Sequence, residues 1–169
     1  MTLSIVARDT KTGDFGVCGY TDIAGYGSLV PHVSLKCAVA TQAYVNVDNG
    51  IEMLELVDKK YSIKKSGEKI IGKDKNKDMR QMIAIGVNNS KFVWTGKNTL
   101  DYKSSIVGND YVVAGNCLSS INVLKKTALY FENNRSIDFI INRYSRSLND
   151  LIELSYNLDK ISLIEKKNI

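Results

Sequence analysis

The N-terminal third of the chain alternates between two sets of side chains with the period of two that is typical of β-strands. Leu3, Ile5 and Ala7 form one of these sets and predict one face of a first strand. The turn residues from Asp9 to Gly13 predict a hairpin, and the small apolar side chains after Cys37 predict a fully buried strand. The strands predicted in this third are residues 2–7, 15–20 and 37–41.

Helical spacing follows the third strand. Asp48 or Asn49 is placed to cap one helix, and Ser62 is placed to cap a second. The expected inward side chains are Ile51, Leu54 and Val57 in the first helix and Ile63, Ile70 and Ile71 in the second.

The second half repeats the order of strands followed by helices. A hairpin is predicted over 82–95, a strand over 111–114, and a helix capped by Ser119 or Ser120. That helix carries Ile121, Leu124, Ala128 and Phe131 on one side, and further helices are predicted over 136–144 and 148–155. The element order predicts a single α+β domain over 1–169, with two stacked antiparallel sheets and helices on both outer faces.

Composition removes several classes of function. No apolar run approaches the roughly 18 residues of a membrane span. The start has neither a basic leader nor a long apolar core, so we expect a cytoplasmic protein that does not associate with a membrane. The chain has one histidine, His32, and three cysteines without CxxC spacing, which favours reduced thiols and disfavours a metal site. P-loop and GxGxxG patterns are absent from the sequence, so we expect no cofactor.

Positive charge is concentrated in one segment. The net charge is +5, and residues 59–80 contain eight lysines and one arginine against three acidic residues. Nucleic-acid binding would favour interleaved aromatic side chains, and Tyr61 is the only one in this segment. A solvated helix pair is therefore the preferred interpretation, and a small molecule is preferred to nucleic acid as the partner.

A set of short strings occurs in an order that is similar to a known family. The strings are Ser4 to Asp9, Thr12-Gly13, Gly16-Val17, Gly27, Val30-Pro31, Ala38 to Gln42, Val45-Asn46, Gly50, Arg80-Gln81, Thr95-Gly96 and Ala114 to Asn116 with Leu118. In this order they resemble the microbial family called domain of unknown function 1028. The resemblance implies an αββα sandwich of the kind found in N-terminal-nucleophile (Ntn) hydrolases. The family's C-terminal Gly-Gly-Asp segment is missing, so the helical part from about residue 119 is shortened.

The resemblance implies an amidohydrolase whose nucleophile is its first residue. Thr2 becomes that residue once Met1 is removed, and removal of an initiator methionine is usual before a small side chain. Its hydroxyl would attack and its own α-amine would accept the proton. The alternative is that Thr2 only begins a strand after a retained methionine.

Pairing in the predicted hairpin places further groups beside Thr2. If the turn centres on residues 11 and 12, Thr2 lies opposite Thr21, with Asp22 just beyond. If the third strand runs antiparallel to the second, Lys36 also comes close. Thr2, Thr21, Asp22 and Lys36 are therefore the predicted catalytic cluster, although a solvated lysine at a strand end is an equal alternative for Lys36.

Amide groups supply candidates for binding an oxyanion or a polar substrate. Gly115 and Asn116 lie just before a predicted helix, with Asn116 as a catalytic candidate. Asn46 and Asn49 lie before another helix, and Gln42 ends a buried strand. Each residue type is also common in caps and turns, so structural roles are open for all of them.

Two other interpretations remain at this point. Cys117 is an alternative nucleophile beside Asn116, and it would need His32 as its base. The same fold could also be a catalytically silent protein that binds a small ligand or a partner. The oligomeric state is open, and a homo-oligomer is one option because exposed sheet edges are often covered by a second subunit.

Overall fold

The computed structural model describes residues 1–134, and they form two antiparallel sheets with four helices. The strands are β1 (Thr2–Arg8), β2 (Phe15–Thr21), β3 (Pro31–Val33), β4 (Cys37–Ala43), β5 (Arg80–Gly86), β6 (Lys91–Thr95), β7 (Ser104–Val107) and β8 (Tyr111–Asn116). The helices are α1 (Tyr26–Leu29), α2 (Val47–Asp58), α3 (Ile63–Lys73) and α4 (Asn122–Asn133). The predicted α+β class is confirmed, whereas the predicted helices over 136–144 and 148–155 lie outside the described residues.

The strand orders are β2-β1-β8-β7 in one sheet and β3-β4-β5-β6 in the other. The predicted hairpin register is confirmed, since Thr2 pairs with Thr21 and Arg8 with Phe15. The expected pairing of the third predicted strand with β2 is wrong. That strand is β4, and it pairs with β3 and β5 in the second sheet. The edge strand β7 is short and was not predicted from the sequence.

Apolar side chains fill the space between the two sheets, and further apolar clusters cover the outer face of each sheet. Val6 and Val112 of the first sheet belong to one buried cluster with Ala40 and Ile83 of the second. On the outer face of the second sheet, strand side chains such as Val39 cluster with residues of α2 and α3. On the outer face of the first sheet, the cluster contains Leu3, Val113 and Leu124. Strands β1 and β8 therefore bury side chains on both faces.

The two helices after β4 differ in how well the sequence predicted them. Ser62 caps α3, and Ile63, Ile70 and Ile71 are buried, as expected. In α2, however, the cap is Asn46 and Ile51 is 45% exposed. Asn49 and Gly50 are the first buried residues of α2, and the His32 ring lies directly against Gly50. A Cβ built on Gly50 would lie 2.3 Å from His32 Nδ1.

Two glycines of α3 are expected to respond oppositely to alanine. A Cβ on Gly67 would lie 2.4 Å from the Phe92 ring, so Gly67→Ala should destabilise the protein by about 1–3 kcal/mol. A Cβ on Gly72 meets no atom within 4 Å, so Gly72→Ala should stabilise the protein by roughly 0.5–1 kcal/mol through helix propensity. Urea unfolding of both variants checks this. Equal changes in the free energy of unfolding would contradict the packing of α3 on β6.

No helix among residues 1–134 combines the length and the apolar character that crossing a membrane requires.

Candidate functional site

Thr2 begins the central strand β1, and its side chain lies on the face that looks toward the second sheet. It pairs with Thr21 of β2 on one side and with Asn116 of β8 on the other. The Thr2 Oγ1 atom lies 3.2 Å from Thr21 Oγ1, within hydrogen-bond distance. Thr2 is 8% exposed in the presence of Met1. The structure thus brings together three of the predicted site residues, Thr2, Thr21 and Asn116.

Met1 and Asp22 continue this cluster at the protein surface. The Met1 ammonium nitrogen lies 2.8 Å from Asp22 Oδ1, and the Thr21 hydroxyl donates to the Met1 carbonyl oxygen at 3.0 Å. The hydrogen bond from the ammonium holds the pKa of Asp22 below its ordinary value. Burial lowers the pKa of the Met1 amine, but the Asp22 hydrogen bond and the nearby Cys117 together raise it by more. Asp22 is therefore placed to bind an amino group at the start of β1, as it binds the Met1 ammonium group here.

Asn116 belongs to a buried network of amides between the two sheets. Its Nδ2 donates to Gln81 Oε1 at 3.0 Å, and Gln42 Nε2 donates to the same oxygen at 2.7 Å. Gln81 Nε2 donates to Thr95 Oγ1, to the Ser104 carbonyl and to the Gly115 carbonyl. Because Asn116 Nδ2 donates to Gln81 Oε1, this hydrogen bond orients the Asn116 side-chain amide.

The network continues from Gln42 toward the surface. Ser4 Oγ hydrogen-bonds to Gln42 Oε1 and lies 2.9 Å from the Tyr26 hydroxyl. Burial raises the pKa of Tyr26 to about 12, so its hydroxyl stays protonated at neutral pH. Sequence reasoning proposed Gln42 but missed Ser4, Tyr26 and Gln81. A signal existed for Ser4, which shares the inward face of β1 with Thr2.

Asn46 and Asn49 lie apart from Thr2, in a second polar cluster on the outer side of β5. Asn46 Oδ1 caps α2, and Asn49 Nδ2 donates to Asp74 Oδ2 at 2.8 Å. Arg80 Nε donates to the same carboxylate at 2.9 Å, and both side chains of this ion pair are 7% exposed. The guanidinium also donates to the Tyr44 carbonyl. The Asn46 side chain therefore bonds within the start of α2, whereas Asn49 links α2 through Asp74 to Arg80 of β5.

Lys36 does not lie beside Thr2, so its expected proximity is wrong. Its Nζ forms an ion pair with Asp58 Oδ1 at 2.9 Å. Gln42, at the other end of β4, is the residue that reaches Ser4 and the Ala114 carbonyl. A seven-residue strand spans roughly 20 Å, which separates Lys36 from the Thr2 end. The expectation failed because β4 belongs to the second sheet.

Gly115, Cys117 and His32 complete the set of sequence candidates. A Cβ on Gly115 would lie 2.8 Å from the Leu118 side chain, so Gly115 allows close packing on the outer face. Cys117 follows Asn116 with a φ of 53°, and its N–H donates to the Leu100 carbonyl. His32 packs against Gly50 on the outer side of the other sheet, so it does not reach Cys117. Burial lowers the pKa of His32.

The three cysteines are unpaired, and the described residues contain no cluster of three or more histidine, cysteine or acidic side chains that could hold a metal ion.

Comparison with known proteins assigns the chain to a family. The model of a family of unknown function, DUF1028, matches residues 2–149. The chain belongs to this family. The chain is similar to the crystal structure of a DUF1028 protein from Silicibacter pomeroyi, with 25% sequence identity and a TM-score of 0.74. The similarity covers 77% of this chain and 61% of that protein, so the chain spans less than two thirds of its relative. No curated protein matches the chain.

Proposed function

We propose that this DUF1028 member is an Ntn-type hydrolase that cleaves an amide or related C–N bond of a small molecule. The observation that carries the proposal is the placement of Thr2 at the start of β1, with the Thr21 hydroxyl 3.2 Å from its own and Asn116 on the neighbouring strand. Sheets with apolar cores between them and on both outer faces support a four-layer αββα sandwich of the Ntn-hydrolase kind.

The proposed nucleophile is Thr2 after Met1 has been removed. An unperturbed α-amine has a pKa of about 7.7–8.0, at which roughly a tenth to a sixth is neutral at pH 7. The neutral amine accepts the hydroxyl proton as Oγ1 adds to the substrate's carbonyl carbon. The C–N bond then breaks, the amine product leaves with that proton, and water hydrolyses the resulting ester on Thr2.

The neighbouring side chains have different roles in this proposal. The Thr21 hydroxyl already donates to a carbonyl oxygen, that of Met1, and would donate in the same way to the oxyanion. Asn116 would hold the reacting group through the amide that Gln81 orients. Asp22, which pairs with the Met1 ammonium group here, would neutralise an amino group bound in its place. Lys36 has no role, because it lies at the other end of β4.

Intact mass spectrometry tests the first requirement of this function. We expect purified full-length protein to lack Met1, and we expect release of ammonia or amine in a screen of small amides. A protein that retains Met1 and still hydrolyses an amide would contradict the proposal, since Thr2 would then have no free amine.

A catalytically silent binding protein is the second candidate. The observation that favours it is the burial of Thr2, which is only 8% exposed under Met1. In that case, amides would raise the melting temperature of a protein with Thr2 as its first residue without being hydrolysed.

A further inference from the structure

Met1 makes specific contacts through each of its parts. Its ammonium group contacts Asp22 at 2.8 Å, and its carbonyl oxygen accepts from Thr21 Oγ1 at 3.0 Å. Its side chain packs against the apolar cluster between β1, β8 and α4, which includes Leu3, Leu118 and Leu124. The first residues of a domain are usually poorly ordered and make few contacts. Met1, by contrast, is held at its ammonium group, at its carbonyl oxygen and along its side chain.

The chemical identity of Met1 relates these contacts to the proposed reaction. Met1 is an α-aminoacyl group carried by the Thr2 nitrogen, and the proposed intermediate carries an acyl group on Thr2 Oγ1. The two atoms belong to one residue and are joined through two carbons, and the Thr21 hydroxyl contacts both groups, since it lies 3.2 Å from Thr2 Oγ1 and 3.0 Å from the Met1 carbonyl oxygen. Removal of Met1 would therefore leave an acyl subsite formed by a carboxylate, a hydroxyl donor and an apolar wall.

We propose that the substrates are α-aminoacyl amides with an apolar side chain and a free α-ammonium group. This inference rests on the proposed function. Asp22 binds the ammonium group, Thr21 donates to the carbonyl oxygen, and the cluster with Leu118 and Leu124 receives the side chain. Thr2 Oγ1 adds to the carbonyl carbon and its proton passes to the Thr2 amine. The amine product leaves with this proton, and water releases the free amino acid from the ester.

The three contacts are expected to contribute unequally. Asp22 is exposed, so its ion pair with an ammonium group contributes little, and Asp22→Asn should weaken binding about two- to fivefold. The side-chain subsite buries apolar surface, so methioninamide should bind about tenfold or more tightly than glycinamide. N-acetylation removes the charge that Asp22 recognises and should also weaken binding.

The test measures binding without requiring turnover. Full-length Thr2→Ala protein is made with a cleavable leader whose removal leaves the substituted alanine as the first residue. Isothermal titration compares L-methioninamide, N-acetyl-L-methioninamide and glycinamide. A matched control for Asp22→Asn is Asp58→Asn, because Asp58 is an exposed, ion-paired aspartate at the Lys36 end of the molecule. Asp58→Asn should leave all three affinities unchanged.

The outcomes separate this inference from the function on which it rests. Preference for L-methioninamide over both analogues, weakened by Asp22→Asn alone, is the expected result. Equal affinities, or no binding of L-methioninamide, would overturn the aminoacyl subsite even if protein with Thr2 first hydrolyses other amides. Turnover that survives in Thr2→Ala would instead overturn the proposed function.

Discussion

Thr2→Ala is expected to lower amide hydrolysis by about a thousandfold or more, because it removes the proposed nucleophile. The same change should leave stability nearly unaltered. The Thr2 hydroxyl has one hydrogen-bond partner among the described side chains, Thr21 Oγ1, so its loss should cost about 1 kcal/mol. Steady-state kinetics and thermal unfolding of the same preparation measure the two effects.

The matched control for this variant is Thr2→Ser, which keeps a hydroxyl on a small first residue. Thr2→Ser should retain measurable activity, and both variants should lose Met1 as readily as the wild type. If Thr2→Ala kept wild-type kinetics, Thr2 would not be the nucleophile. If it unfolded the protein, the loss of activity would carry no mechanistic meaning, and Thr2→Ser would decide the question.

Asp74→Asn is expected to destabilise the protein by about 3 kcal/mol. It removes the charge that neutralises Arg80, whose guanidinium would then stay buried without a counter-ion. Asp74 also joins Arg80 to Asn49, so the change weakens the attachment of α2 to β5. Urea unfolding at neutral pH measures the effect.

The control for Asp74→Asn is an exposed ion pair of the same type. Asp78 pairs with Lys97 at 3.3 Å with side chains 36% and 76% exposed, so Asp78→Asn should cost less than about 1 kcal/mol. Equal losses in the two variants would contradict a stabilising role for the buried pair.

The pH dependence of stability should also change in Asp74→Asn. Burial alone raises the pKa of Asp74, but hydrogen bonds from Arg80, Asn49 and the Asn76 backbone lower it by more, to below its ordinary value. A carboxyl whose folded-state pKa is lowered stabilises the protein above its unfolded pKa of about 3.9, and this stabilisation is lost as the pH falls through the folded value. The acid limb of the stability curve should therefore be shallower in Asp74→Asn than in the wild type.

The parts of the site that the sequence predicted depend on local pairing. Thr2 lies opposite Thr21 because the Asp9–Gly13 turn fixes the register of one hairpin, and Asp9 Oδ1 accepts from the Lys11 N–H within that turn. Period and turn chemistry are sufficient for such a contact. The element order alone predicted stacked sheets with helices on both outer faces, whereas the Ntn-hydrolase kind of sandwich and the Thr2 mechanism are implied by the family resemblance and are proposals.

The parts that the sequence did not predict depend on which strands share a sheet. Lys36 was misplaced because nothing local distinguishes a strand that continues one sheet from a strand that begins another. Gln81 was missed for a related reason, since its partners Gln42, Asn116 and Thr95 come from three other strands. Polar networks between sheets are long-range in sequence, and a buried glutamine gives no periodic signal of its own.

Acyl transfer to Thr2 is the central claim, and mass spectrometry of the acylated protein tests it most directly. Full-length protein with Thr2 first is incubated with p-nitrophenyl acetate, quenched in acid and digested with pepsin at acid pH, where an ester on Oγ1 does not migrate to the protonated amine. We expect an acetyl group on the N-terminal peptide that is released by hydroxylamine, as an ester on Oγ1 would be, and that is absent from Thr2→Ala. An acetyl group on Cys117 or on a lysine in both proteins, with none on Thr2, would contradict the account.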